Sequence, residues 1–132
     1  MRNLLLPFIV ITLISCSSNA QERAIPTISP DDLKSKIESG EGVLLDVRRP
    51  DEIAKGVIKA DVLNYNFSAS DFNNNIAQLD KDETYYVYCA VGGRSGKTVQ
   101  KMKEMGFENV YNVEGGIVKW QEVGNKLVKK KD

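Results

Sequence analysis

Apolar positions along the chain follow two different periods, and these periods predict the secondary structure. Short, nearly continuous apolar runs bounded by polar or glycine residues are typical of buried parallel strands. We predict such strands over residues 43–47, 62–63, 85–88 and 109–113. Apolar residues spaced three or four apart predict helices over residues 30–39, 50–56, 68–79, 95–105 and 117–123. Because strands and helices alternate, we expect an α/β fold with a mostly parallel central sheet flanked by helices.

Capping residues mark some of the helix boundaries in the sequence. Ser29 precedes Pro30 and two aspartates, a combination that favours the start of a helix, and Gly40 marks the end of the same helix. For the third predicted helix, Ser68 or Ser70 is the expected cap. The first helix therefore has several independent boundary signals, whereas the third depends on serine alone.

The N-terminal segment differs from the rest of the chain. It carries one charged side chain, Arg2, followed by the apolar run 4–14. This layout is typical of a secretory signal peptide. The alternatives are a membrane span, which needs about 20 apolar residues, and a core helix, which would show a polar face. The run ends in Leu13-Ile14-Ser15-Cys16, which resembles the lipobox of bacterial lipoproteins.

The lipobox resemblance implies a division of the chain into three parts. Residues 1–15 would be a signal peptide, residues 16–24 a polar tether beginning with lipidated Cys16, and residues 25–132 the folded domain. The protein would then be lipid-anchored in the bacterial cell envelope and face the periplasm. The serine that follows Cys16 favours the outer membrane. The alternative is ordinary signal cleavage near Ala20.

The composition excludes several classes of function. The chain carries 18 basic and 18 acidic residues, so it has no strong field to attract nucleic acid, and we expect no nucleic-acid partner. The absence of histidine excludes a Cys–His hydrolase, and neither a metal nor a cofactor is expected. With Cys16 lipidated, Cys89 is the single thiol and cannot form an internal disulfide. A lone thiol in an exported protein indicates a reactive group, the alternative being a small buried apolar residue.

The segment with the clearest chemical meaning follows the predicted strand 85–88. Its residues are Cys89, Ala90, Val91, Gly92, Gly93, Arg94 and Ser95. Ligands of α/β proteins bind at the carboxyl ends of parallel strands, and the two glycines allow the backbone to curl so that several amides face one sulfur. Arg94 adds a fixed positive charge, and the following helix adds its dipole. Because each of these favours the anion, we predict a lowered pKa for Cys89.

Three motifs resemble those of rhodanese-type sulfurtransferases. The loop Cys89-x-x-Gly92-x-Arg94-Ser95 is similar to the active-site loop of that family. The run Leu45-Asp46-Val47-Arg48 is similar to its Asp-Val-Arg strand end, and the segment 111–116, with Trp120 after it, to its C-terminal glycine pair and tryptophan. Together the motifs extend over about residues 28–125. The resemblance implies a single domain with a rhodanese-like fold.

By this resemblance, Cys89 is the nucleophile, which accepts a sulfane sulfur and holds it as a persulfide. Arg94 would hold a small sulfur-containing anion such as thiosulfate, and Arg48 would either help to hold it or pair with Glu52 at the surface. For Asp46, the residue type alone favours orienting loops or an arginine over proton chemistry. The amides of the loop would surround the transferred sulfur; the residues implied are Ala90, Val91, Gly92, Gly93 and Ser95. A thiol or cyanide would then accept the sulfur in a two-step covalent transfer of the thiosulfate sulfurtransferase type.

Two alternatives and one departure from the family pattern accompany this hypothesis. A non-enzymatic sulfur-carrier or protein-binding module could use the same fold. Related phosphatases have five residues between the cysteine and the arginine, whereas four separate Cys89 from Arg94, and the shorter loop favours sulfur transfer. Many family members carry Gly-His-Ile where this chain has Gly56-Val57-Ile58, so no role can be assigned to that histidine.

Overall fold

The structure is a computed structural model and describes residues 24–132. Its strands are β1 (Thr27–Ile28), β2 (Val43–Asp46), β3 (Leu63–Asn64), β4 (Tyr85–Tyr88) and β5 (Val110–Val113). Its helices are α1 (Pro30–Ser39), α2 (Pro50–Ile53), α3 (Phe72–Ala77), α4 (Gly93–Glu104) and α5 (Gly116–Glu122). The five strands form one sheet in the order β1-β5-β4-β2-β3, and every pairing is parallel. The predicted α/β fold with a parallel central sheet is confirmed.

Strand β4 lies at the centre of the sheet, between β2 and β5. Its last residue, Tyr88, pairs with Asp46 of β2, and Val87 pairs with Asn112 of β5. Because all strands are parallel, their carboxyl ends lie along one edge of the sheet. This edge brings together the segments that follow β2, β4 and β5.

The two faces of the sheet carry separate hydrophobic clusters. Side chains alternate along a strand, so Tyr85 and Val87 enter one cluster while Tyr86 and Tyr88 enter the other. Helices α3 and α4 cover the first face, which also contains Cys89, and helices α1 and α5 cover the second. All four residues of β4 are buried, as expected of a central parallel strand.

Most predicted elements are present, with differences at the weakest signals. Ser29 caps α1 by accepting a hydrogen bond from the Asp32 amide over 3.1 Å, and Gly40 ends that helix in a left-handed conformation. The predicted cap of the third helix is wrong. Helix α3 begins at Phe72 and has no side-chain cap, so neither Ser68 nor Ser70 caps it. Strand β1 was missed, since two residues at a sheet edge show no alternation.

The segment after α5 returns to the body of the domain. Val128 and Val57 exchange both backbone hydrogen bonds in an isolated antiparallel bridge, and the Lys131 amide donates to the Ala60 carbonyl. Within residues 24–132, no helix is long and apolar enough to cross a membrane. The predictions for residues 1–23, including lipidation of Cys16, lie outside the described residues.

Candidate active site

The loop 89–92 joins the carboxyl end of β4 to the start of α4 and surrounds the Cys89 sulfur. The thiol is 1% exposed. The Gly92 amide donates to Sγ over 3.2 Å, and Ser95 donates from its amide over 3.5 Å and from its hydroxyl over 3.3 Å. Gly92 has a φ of 105°, a left-handed conformation that glycine adopts without steric cost. The sulfur therefore lies among hydrogen-bond donors at the amino end of α4, where an anion is favoured.

Opposing effects determine the pKa of Cys89. Burial is the largest of them and by itself would raise the pKa, because it disfavours the charged thiolate. Hydrogen bonds from the Ser95 hydroxyl and from the amides of Ser95, Gly92 and Val91 together outweigh burial. The pKa of Cys89 is lowered, in the direction predicted from the sequence. A larger fraction of the thiol is consequently in the thiolate form, which is the nucleophile.

The first two carbonyl groups of the loop are bound by amides of α5. The Ile117 amide donates to the Cys89 carbonyl over 3.0 Å, and the Val118 amide donates to the Ala90 carbonyl over 3.1 Å. This approach requires glycine at position 116. A Cβ atom on Gly116 would lie 2.5 Å from the Ala90 oxygen and 2.6 Å from the Cys89 oxygen. Helix α5 therefore fixes the outer side of the loop while the amides face inward.

Arg94 forms a two-point ion pair with Glu52, which lies 42 positions earlier in the chain. Nη1 and Nη2 of Arg94 each donate to one carboxylate oxygen of Glu52 over 2.8 Å. The pair is partly buried, with 27% of the Arg94 side chain and 18% of the Glu52 side chain exposed. Hydrogen bonding to Arg94 lowers the pKa of Glu52 to about 2. The carboxylate is thus ionised at neutral pH and cancels the arginine charge.

The guanidinium of Arg94 also lies within electrostatic range of Cys89. Glu52 raises the pKa of Arg94 most, and the Cys89 thiolate raises it further. Arg94 does not rank among the principal causes of the lowered pKa of Cys89, which are hydrogen bonds of the loop. The predicted contribution of Arg94 to the anion is therefore smaller than that of the loop hydrogen bonds, and Glu52 neutralises much of the Arg94 charge.

Arg48 and Asp46 form a buried ion pair. Arg48 Nη2 lies 2.8 Å from the carboxylate of Asp46 and also donates to the Gly56 carbonyl over 2.8 Å. Its guanidinium lies over the Tyr88 ring at 5.5 Å, and the residue is only 4% exposed. Asp46 thus orients an arginine, one of its two predicted roles. The predicted contact of Arg48 with an anionic donor is corrected, because this charge is paired in the interior.

Of the three motifs that resemble a known family, the loop and the glycine pair are in contact, and the Asp-Val-Arg run ends β2, the neighbouring strand of β4. The model of the rhodanese-like domain family matches residues 29–123 of the chain. The chain belongs to the rhodanese family. The resemblance inferred from the loop, the Asp-Val-Arg run and the glycine pair is thereby confirmed, and so is the single rhodanese-like domain.

The relatives of this rhodanese domain include a sulfurtransferase and a putative sulfur carrier. A sulfurtransferase from Allochromatium vinosum is 31% identical over 102 residues, which cover 76% of this chain and 92% of that protein. A crystal structure of a rhodanese-related protein from Thermoplasma volcanium is 34% identical, with a TM-score of 0.69, and the match covers 78% of this chain and 97% of that chain. The putative sulfur carrier protein YrkF from Bacillus subtilis is 31% identical, over 78% of this chain and 55% of that protein.

Two residues of this rhodanese site were not selected from the sequence. Glu52 was treated only as a surface partner of Arg48, although the Asp-Val-Arg run places it just after a strand that ends at the site. Asn112 of β5 donates its side-chain amide to the Gly92 carbonyl over 3.2 Å. A polar residue near the carboxyl end of a parallel strand is the signal that would have indicated Asn112.

Proposed function

We propose that this protein is a sulfurtransferase that carries sulfane sulfur on Cys89. The Cys89 thiolate attacks the outer sulfur of a thiosulfate-like donor, forming a sulfur–sulfur bond while the donor's own sulfur–sulfur bond breaks. With thiosulfate, sulfite leaves with the bonding electron pair, and the enzyme retains a persulfide anion. A thiolate or cyanide then attacks the outer sulfur, and the Cys89 thiolate is regenerated.

The observation that carries this proposal is the set of donors around the Cys89 sulfur. The Ser95 hydroxyl and the backbone amides of Gly92 and Ser95 all point at Sγ, in a chain without histidine. Such donors stabilise a thiolate without a general base, and the same donors can stabilise a persulfide anion. The name of the Allochromatium vinosum relative supports the same activity.

A sulfur carrier without turnover is the second candidate function. The similarity to the putative sulfur carrier YrkF favours this possibility, since it extends over 78% of this chain. A carrier would take up one sulfur on Cys89 and release it only to a specific partner. An enzyme would pass sulfur repeatedly to a small acceptor.

Thiocyanate formation distinguishes these two functions. The full chain is supplied with thiosulfate and cyanide, and thiocyanate is measured over time for the wild type and for Cys89→Ser. We expect repeated turnover by the wild type and none by the variant. Uptake of one sulfur by Cys89, seen as a mass increase, without formation of thiocyanate would instead assign the carrier function.

We also propose that the domain is anchored by lipid on Cys16 and faces the periplasm. This proposal depends on the lipobox-like segment Leu13-Ile14-Ser15-Cys16. Expression of the full chain in a bacterium, followed by membrane fractionation, tests it. The wild type is expected in the outer-membrane fraction, and Cys16→Ala in the soluble fraction or still attached to its signal peptide. The same distribution between the membrane and soluble fractions for the wild type and Cys16→Ala would contradict lipid anchoring through Cys16.

A further inference from the structure

Ionic groups on both sides of the Cys89 loop are neutralised by partners. On the α2 side, Glu52 binds Arg94 at two points and also lies 3.8 Å from Arg49. On the α5 side, Lys119 pairs with Glu114 over 2.9 Å. The next cation along α4, Lys97, is exposed and therefore screened by water. Among the described residues, these pairs leave the loop without a buried, uncompensated positive charge.

Apart from Arg94, whose charge is paired with Glu52, the groups that face the sulfur are dipoles. They are the hydroxyl of Ser95 and the amides of the loop. The side chain at the tip of the loop is also uncharged: it is Val91, which is 68% exposed. Val118, whose amide binds the loop, adds a second partly exposed apolar side chain. Dipoles of this kind stabilise one negative charge on sulfur, whereas a second charge on the donor has no uncompensated cation to meet.

We propose that Glu52 is a specificity-determining residue, which cancels the charge of Arg94 and so makes the site favour sulfane donors with at most one negative charge, such as the persulfide of a thiol. A dianion such as thiosulfate is then a poorer donor. This inference rests on the proposed function, because it concerns the donor from which Cys89 takes sulfur. In this proposal the Glu52–Arg94 pair selects the donor, and the loop stabilises the Cys89 thiolate that attacks it.

Two donors of similar size and different charge test the proposal. Thiosulfate is a dianion, and methanethiosulfonate is a monoanion that transfers its outer sulfur and leaves as methanesulfinate. We compare kcat/KM for both donors, with cyanide as acceptor, in the wild type and in Glu52→Gln. Glutamine keeps an oxygen that accepts a hydrogen bond from Arg94 but removes the negative charge. Glu38→Gln removes a charge from an exposed position on α1 and is the matched control.

The expected result is a change in donor preference. Freeing the Arg94 charge should raise kcat/KM by about threefold per unit of donor charge, the size of a Coulomb interaction in a water-like medium. Thiosulfate should therefore gain about tenfold and methanethiosulfonate about threefold in Glu52→Gln, and neither should change in the control. The gain for thiosulfate should shrink as salt is added, because salt screens the freed charge.

Other results would overturn the proposal without touching the proposed function. An equal fall of kcat/KM for both donors in Glu52→Gln would show that Glu52 only positions Arg94, and unchanged values for both would show that the pair has no role in donor choice. The proposed function itself would fail differently. In that case the wild type would take sulfur from neither donor.

Discussion

The hydroxyl of Ser95 donates to Cys89 Sγ over 3.3 Å, and the amide of the same residue donates over 3.5 Å. The hydroxyl contributes more than any other hydrogen bond to the lowered pKa of Cys89. Ser95 is itself completely buried, so water cannot replace the hydroxyl when it is removed. This single side chain is therefore the most sensitive point of the thiolate site.

Ser95→Ala should raise the pKa of Cys89, because it removes a hydrogen bond to a charged group, an interaction that contributes about 1.5 kcal/mol or more. The rate of alkylation by iodoacetamide, measured as a function of pH, reports the pKa directly. At neutral pH the variant should react more slowly, since a smaller fraction of its thiol is ionised. Ser35→Ala, which removes an exposed hydroxyl from α1, is the control. An unchanged titration in Ser95→Ala would show that the hydroxyl does not stabilise the thiolate.

Site residues whose role depends on their neighbours in the sequence could be predicted. The residues that they contact across the fold were harder to identify. The position of Cys89 after an apolar run and the glycines after it indicate a sulfur surrounded by amides. The pairing of Asp46 with Arg48 also has a local signal, because residues two apart in an extended segment share a face. Choosing between that pairing and a contact with substrate required the burial of Arg48, which depends on the whole fold.

At the scale of elements, α5 supports the loop from behind, and Gly116 is the point of closest approach. The loop carbonyls of Cys89 and Ala90 lie within 3.1 Å of amides in the first turn of α5. Gly116 also has a φ of 60°, which residues with a Cβ atom rarely adopt. In the sequence alone, a glycine pair indicates a turn. Its second function, close contact with the loop, could not be derived without the position of α5.

Gly116→Ala should destabilise the domain and reduce sulfur uptake by Cys89, because the added methyl group would displace the loop. Gly40→Ala is the matched control, since its φ is 71° and nothing lies within 4 Å of the added Cβ. The control should lose about 1–2 kcal/mol of unfolding free energy from backbone strain alone and keep its activity. Urea denaturation and the initial rate of thiocyanate formation measure the two effects. Full activity in Gly116→Ala would contradict the supporting role of α5.

The accuracy with which each strand and helix was predicted depends on the strength of its signal in the sequence. Strand β4 and helix α1 are framed by several agreeing signals, and both were predicted with nearly the observed bounds. Helix α3 is six residues long, and the twelve-residue prediction for it extended over turns on both sides. Strand β1 exists only because β5 offers a free edge to pair with, which is a tertiary effect without a local pattern.

At the scale of the whole molecule, the Glu52–Arg94 pair connects segments that are 42 residues apart. No periodicity or motif in the chain specifies such a contact. It forms because β2 and β4 are neighbours in the sheet, so the segments after their carboxyl ends meet. The pair therefore stabilises the tertiary arrangement of the site as well as setting its charge.

The stability of the protein should fall in acid because of this pair. Hydrogen bonding to Arg94 lowers the pKa of Glu52 from 4.5 to about 2. A depressed pKa in the folded state gives stability that is fully present above pH 4.5 and is lost as the pH falls toward about 2. Urea unfolding measured across this range should show a smaller pH dependence in Glu52→Gln than in the wild type. The same pH dependence in both proteins would contradict the lowered pKa of Glu52.

The central claim is that the Cys89 thiolate accepts one sulfur atom and holds it as a persulfide. Intact-mass measurement after incubation with a sulfane donor, followed by peptide mapping, tests it most directly. The account predicts a gain of one sulfur mass on the Cys89 peptide of the wild type, reversed by cyanide and absent from Cys89→Ser. An unmodified Cys89 after treatment with both thiosulfate and methanethiosulfonate would contradict the account.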